Sequence, residues 1–300
     1  MASLDDPVTP EDEFCIRKHA ARLLKEAHAA GCFPTPIDQI IEVAKLRFER
    51  QTLGAGFLHG LYRGIATKVK SALRKIRALL HVGERVILVD HDEPDARLPW
   101  IKAHEAGHSY LPWQREVFTI TEDCEQSLDP TVTERFEREA NLFAAELLFQ
   151  GESLQRDAQD LPLGIMTAVN LTKRYGTSIY TGVWRYVSTS LRACAVIVLE
   201  KPRLDPVLGP MWPFRRFIAS PEFATGFGTP KLPDFFTVRD GVMGEMLPRG
   251  RQRLVQPRSF PWPDINGEEH EMLAEAFFTG HNVFLLMYPT KALTRAVLVP

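Results

Sequence analysis

No run in this sequence is long and apolar enough to cross a bilayer, which takes about 20 consecutive apolar residues, so no membrane partner is expected. Cysteine is scarce. The four residues Cys15, Cys32, Cys124 and Cys194 are widely scattered, with no C-x-x-C pair, which excludes the dense disulfide framework of a small secreted domain. The stretch from Met1 to Phe14 has no base and no apolar segment, so it matches neither a secretory signal nor a mitochondrial targeting helix. A reducing cytoplasm is the expected location. A net charge of −2 supplies no global attraction to nucleic acid or to an acidic membrane. What is present is ordinary for globular proteins: 300 residues, 45% hydrophobic and 25% charged, enough for two modest cores.

Along the chain, Ile16, Ala20, Leu23, Leu24 and Ala27 fall at helical spacing between basic residues and predict an amphipathic opening helix. Pro34 and Pro36 break it, and Asp38 introduces a second helix through Ile40, Ile41, Val43, Ala44 and Leu46. Glycines at 54, 56, 60 and 64 predict a short strand or turn region. The bases Lys68, Lys70, Arg74, Lys75 and Arg77, interleaved with Val69, Leu73, Ile76, Leu79 and Leu80, predict a packed helix with a solvated face. Arg85 to Asp90 reads as a short buried strand.

The next segment, Ile101 to His108, contains His104-Glu105-Ala106-Gly107-His108, an H-E-x-x-H pattern. On a helix, residues four apart project from one face a turn apart, so both imidazoles can clamp one ion. Catalytic zinc takes three protein ligands and keeps a fourth position open, and Glu105 is then the general base for water. A third ligand should come from a second helix. Asp129 to Glu134 is a helix start, with Pro130 early and Thr131 and Glu134 as a capping box, and Phe136 to Phe149 continues it. Its carboxylates are Glu134, Glu137, Glu139 and Glu146. At about 100° per residue, Phe136, Ala140, Phe143, Ala144, Leu147 and Leu148 form the apolar arc, with Glu137 at its edge. Glu139 and Glu146 fall on the opposite, solvated side, and Glu134 is occupied by its cap. Glu137 is therefore the expected third ligand. Ala140 and Ala144 are small enough to let the two helices approach closely, and Asn141 is a candidate to orient a ligand histidine through its free ring nitrogen.

The pairing of His104-Glu105-Ala106-Gly107-His108 with the run Glu137 to Leu148 resembles the ImmA/IrrE family of bacterial and phage metallopeptidases. The resemblance covers roughly residues 12 to 150. It implies a zinc endopeptidase that cleaves a helix-turn-helix repressor in a stress, phage or mobile-element response, with His104, His108 and Glu137 as ligands and Glu105 as base. Manganese also accepts this ligand set. The implied fold class is α+β: a zincin-like, mainly helical catalytic domain with a small sheet over 1–150, a small helical module over 151–190, and a mixed α/β or β-rich C-terminal domain over 191–300. The module is the pair of short helices expected between Ile165 and Ser188 around Gly176. With only Lys173, Arg174 and Arg185 as bases, it is not expected to bind nucleic acid directly. Strands are expected over Arg192 to Glu200, Val283 to Tyr288 and Thr294 to Val299. His270 and His281, with Glu268 and Glu269, are read as solvated rather than as a second metal cluster. Two other readings stay open: a regulatory binding protein with a structural metal, and a metallohydrolase of a non-peptide substrate. Neither the oligomeric state nor the group that would stabilise an oxyanion follows from the residues, Tyr110 being near in sequence only.

Overall fold

A computed structural model describes residues 8–51, 78–81, 85–117, 129–248 and 253–291. The expected glycine-rich turn at 54–64, the basic helix from Lys68 to Arg77, Cys124 and the strand from Thr294 to Val299 lie outside them. Leu79 and Leu80, read as the end of that helix, stand instead in a strand. The chain divides into two compact units, residues 1–153 with 173–178 and residues 154–172 with 179–300. Residues 151–153 and 173–178 fall in the first unit, and 154–172 and 179–190 in the second. Among the described residues no helix is long and apolar enough to cross a membrane.

The first unit opens with helix α1 (Pro10–Glu26). Thr9 caps it by accepting from the Asp12 amide, acids fill its first turn and Lys25 its last, matching the helix dipole at both ends. Its buried stripe is Ile16, Ala20, Leu23 and Leu24, the spacing read from the sequence. Burying each large aliphatic side chain stabilises the fold by about 1.5–3 kcal/mol. Helix α2 (Ile37–Val43) follows, then strand β1 (Arg47–Gln51), β2 (Ala78–His81) and β3 (Val86–Asp90). The order β1-β3-β2 puts β3 in the middle, parallel to β1 and antiparallel to β2. Val86 to Val89 are all buried, as a central strand requires. β3 is therefore paired on both sides.

Helix α3 (Leu98–Tyr110) and helix α4 (Pro130–Phe149) carry the residues of interest. α4 is capped by Asp129, which accepts from the Thr131 amide at 2.8 Å, so the helix starts ahead of the expected Thr131 and Glu134 box, and Glu134 is exposed. The helices touch where Gly107 faces Ala140: a Cβ built on Gly107 would sit 3.2 Å from the Ala140 Cα and 3.3 Å from Phe143 Cδ1. Any side chain at 107 would push against helix backbone. Gly176 is constrained differently, by a φ of +61° and by Pro34, whose Cβ would lie 2.7 Å from an added methyl.

The second unit holds most of helix α6 (Ile165–Tyr175) and all of α7 (Ile179–Ser188), after a short α5 (Ser153–Gln159). The two helices expected between Ile165 and Ser188 are present. The Glu275 carboxylate caps α6 by accepting from the Ile165 amide at 2.8 Å. The rest comprises the short helices α8 (Pro221–Phe227) and α9 (Gly241–Glu245) and an antiparallel sheet in which β4 (Ala195–Glu200) and β10 (Asn282–Pro289) are central, flanked by β6 (Gly209–Ala219) and β5 (Arg203–Asp205) on one side and β9 (Glu269–Phe278) and β8 (Leu254–Pro263) on the other, with β7 (Phe235–Thr237) pairing β6. Ile197, Leu199, Phe223, Phe227, Met272 and Leu285 belong to its buried core.

Candidate metal centre

Helical spacing places His104 and His108 one turn apart on α3, and the Gly107–Ala140 approach brings Glu137 of α4 to them. His104 Nε2 and His108 Nε2 are 3.2 Å apart, and each lies 3.5 Å from a Glu137 oxygen. Three donors on two helices thus converge on one point. A tetrahedral zinc with bonds of about 2.0–2.2 Å needs ligand atoms about 3.3–3.6 Å apart; the two imidazole nitrogens, at 3.2 Å, stand slightly closer than that, and each is 3.5 Å from a different oxygen of Glu137. Imidazole nitrogen and carboxylate oxygen are donors for such a cation, and the residues fit it.

His108 and Glu137 bear opposite charge at close range. Burial opposes charge on His108, but the hydrogen bond and charge of Glu137, with help from Glu105 and Gln114, push its imidazole up to about 9. Burial would raise Glu137, but hydrogen bonds and charge from His104 and His108 hold its carboxyl well below the usual range. Glu105 shares this field. Burial pushes its carboxyl up, opposed by the two histidines and reinforced by Glu137.

His108 is held from behind as well. Its Nδ1 lies 2.7 Å from Gln114 Oε1. Gln114 donates from Nε2 to Glu139 Oε2 at 2.7 Å and to the Phe136 carbonyl at 3.2 Å. Trp113 Nε1 donates to the same Glu139 oxygen at 2.6 Å, and Arg135 Nε reaches the other at 2.7 Å. The residue on the free ring nitrogen is therefore Gln114, while Asn141 is half-buried a turn beyond Glu137. Sequence reasoning missed Gln114, Trp113 and Glu139. It also placed Glu139 and Glu146 in solvent, whereas Glu139 is 0% and Glu146 5% exposed. The periodicity argument assumed that α4 buries only its apolar arc. A signal was available: Trp113-Gln114, a large aromatic and an amide just after the histidine helix, can cover a second side of α4 and pair with a carboxylate there.

His104 Nδ1 is buried and takes no partner among the described residues. Tyr110 donates its hydroxyl to Glu26 at 3.0 Å; burial and that carboxylate push the phenol up to about 12. In the second unit, Asp264, Glu268 and His270 lie close together, and His281 is not among them. Asp264 already accepts from the Asn266 and Glu268 amides of its turn.

Two histidines one turn apart with a glutamate between them, and a carboxylate from a second helix, form a group that could hold a metal ion. Residues 63–180 match the Peptidase_M78 family model, the IrrE N-terminal-like domain, which suggests a metallopeptidase. The fold is similar to that of a solved Mycobacterium tuberculosis transcriptional regulator, at 13% identity and a TM-score of 0.50, covering 92% of this chain and 76% of the other. No curated protein matches the chain.

Proposed function

We propose that the protein is a zinc-dependent endopeptidase, and that its substrate is a helix-turn-helix transcriptional repressor cleaved at a specific site. The observation that carries the reading is the convergence of His104, His108 and Glu137, close enough together to share one cation, with Glu105 in the same field. The repressor comes from the family resemblance of the motif pair. His104 and His108 would hold zinc through Nε2 and Glu137 through its carboxylate. Bound there, zinc supplies Lewis acidity to a peptide carbonyl and lowers the pKa of water.

The chain's own part is proton transfer and positioning. Glu105, its carboxyl raised by burial, takes a proton from the attacking water and returns it to the nitrogen of the leaving amine. The C–N bond breaks, the water oxygen joins the carbonyl carbon, and Glu105 ends ionised as it began. His108 is kept from rotating by Gln114. Among the described residues β1 and β2 border the small sheet, and an extended peptide could add beside either.

The test is hydrolysis of candidate repressors by the zinc-loaded full chain beside Glu105→Gln. Loss of about 10²–10⁴-fold in turnover with zinc retained is the expected result. Equal turnover in the variant would remove Glu105 from the chemistry and favour the structural-metal reading.

A further inference from the structure

The geometry points to Gln114 as a positioning residue that, oriented by the buried carboxylate of Glu139, fixes the His108 ring with its proton on Nδ1 and its Nε2 lone pair facing the metal position. The inference deepens the metal-site reading above and rests on it.

Gln114 and Glu139 are both 0% exposed, so water does not decide how the Gln114 amide is turned. One end of the amide lies 2.7 Å from Glu139 Oε2 and 3.2 Å from the Phe136 carbonyl. Both are acceptors, and Glu139 already receives Trp113 Nε1 and Arg135 Nε. That end must be the NH2 group, because an oxygen there would leave three buried acceptors facing one another without a proton. The other end is then the oxygen, and it lies 2.7 Å from His108 Nδ1. An oxygen can only accept, so His108 carries its proton on Nδ1. The one remaining lone pair of the neutral ring is on Nε2, the atom 3.2 Å from His104 Nε2 and 3.5 Å from Glu137. Each link forces the next.

The chain of contacts extends further out. Arg135, which binds Glu139 through Nε, also reaches both oxygens of Asp12 on α1 at 3.2 Å. Glu139 therefore has a fixed orientation of its own, and it passes that orientation through Gln114 to the ring. Ligand histidines held this way lose little freedom on binding an ion, and removing such a partner typically costs 10–100-fold in metal affinity.

The experiment compares zinc affinity, by chelator competition on the full chain, in wild type, Gln114→Met and Glu139→Gln. It is paired with thermal unfolding of each zinc-free chain and with ring-nitrogen NMR of the zinc-loaded wild type. Met has similar length but lacks the amide oxygen. The expected result is about 10–100-fold weaker zinc binding in Gln114→Met. Glu139→Gln should shift the same way. In wild type, His108 should show a protonated Nδ1 whose proton exchanges slowly with solvent. A purely structural Gln114 would lower zinc-free unfolding temperature while leaving zinc affinity unmoved, and that outcome overturns the inference alone. Should Gln114→Met fail to fold, the wild-type spectrum and Glu139→Gln still decide: His108 ligating through Nδ1, or an unchanged affinity in Glu139→Gln, overturns it. A wild-type chain that binds no zinc overturns the site reading together with this inference.

Discussion

At the scale of single residues, the cluster on α3 and α4 makes the zinc-free protein sensitive to pH in a direction that can be worked out. The folded His108 is raised from 6.5 to about 9, so its contribution to stability is complete below about pH 6.5 and is lost as pH climbs through 9. Glu137 is depressed from 4.5, so its contribution is present above that value and fades only in strong acid. The zinc-free first unit should therefore unfold at progressively lower temperature from pH 6.5 to 9, as followed by circular dichroism. Zinc affinity should move the opposite way over the same interval, strengthening by about tenfold per pH unit because one proton must leave His108 for zinc to enter. A flat profile in both would show that His108 and Glu137 do not share charge. The control residue for such work is Glu134, which is exposed. Glu139, which the sequence alone would have nominated as an indifferent carboxylate, sits in the contacts that hold His108.

At the scale of elements, the end of α4 is tied down by one side chain. Gln150 adopts a left-handed φ of 49°, donates to the Ala29 and Cys32 carbonyls and to Thr35 Oγ1, and accepts from the Gly31 amide. It gathers the loop between α1 and α2 onto the C-terminus of the helix that carries Glu137. Gln150→Ala should cost about 1–3 kcal/mol in urea unfolding, since several partly buried backbone groups lose a partner together. A change below about 0.5 kcal/mol would mean that water replaces it freely.

The elements also show where sequence reasoning reached and where it stopped. α1, α2, β3, α4 and the paired helices around Gly176 were legible because each has a clean apolar period and a breaker or cap at its ends. Five strands of the second unit, β5 to β9, were not. β8 contains Pro257, Pro261 and Pro263, and β6 contains Pro210 and Pro213, residues that argue against strands in a sheet interior. β8 lies at the end of the described strand order, and its register shifts between Val255 and Arg258, so its prolines cost little pairing there. β9 begins Glu-His-Glu, and its alternation becomes clear only from Met272 onward. The donor triad was legible as a pattern on two helices; the partners behind it were not, because a segment with no period of its own, Trp113-Gln114, supplies them.

At the scale of the whole molecule, each of the two units has its own buried residues, and the three donors all belong to the first. Calorimetry of the metal-stripped chain should resolve two transitions, and added zinc should raise only one. At a free concentration of 100 times the dissociation constant, zinc stabilises that unit by about 2.7 kcal/mol. Equal upward shifts of both transitions would mean that the units unfold together.

The closeness of Gly107 to Ala140 gives the peptide backbone a say in how near the three donors stand. Donors anchored on two separate rods start from the separation of the rods, so a methyl added at that crossing would push His104 and His108 away from Glu137 without touching any of the three.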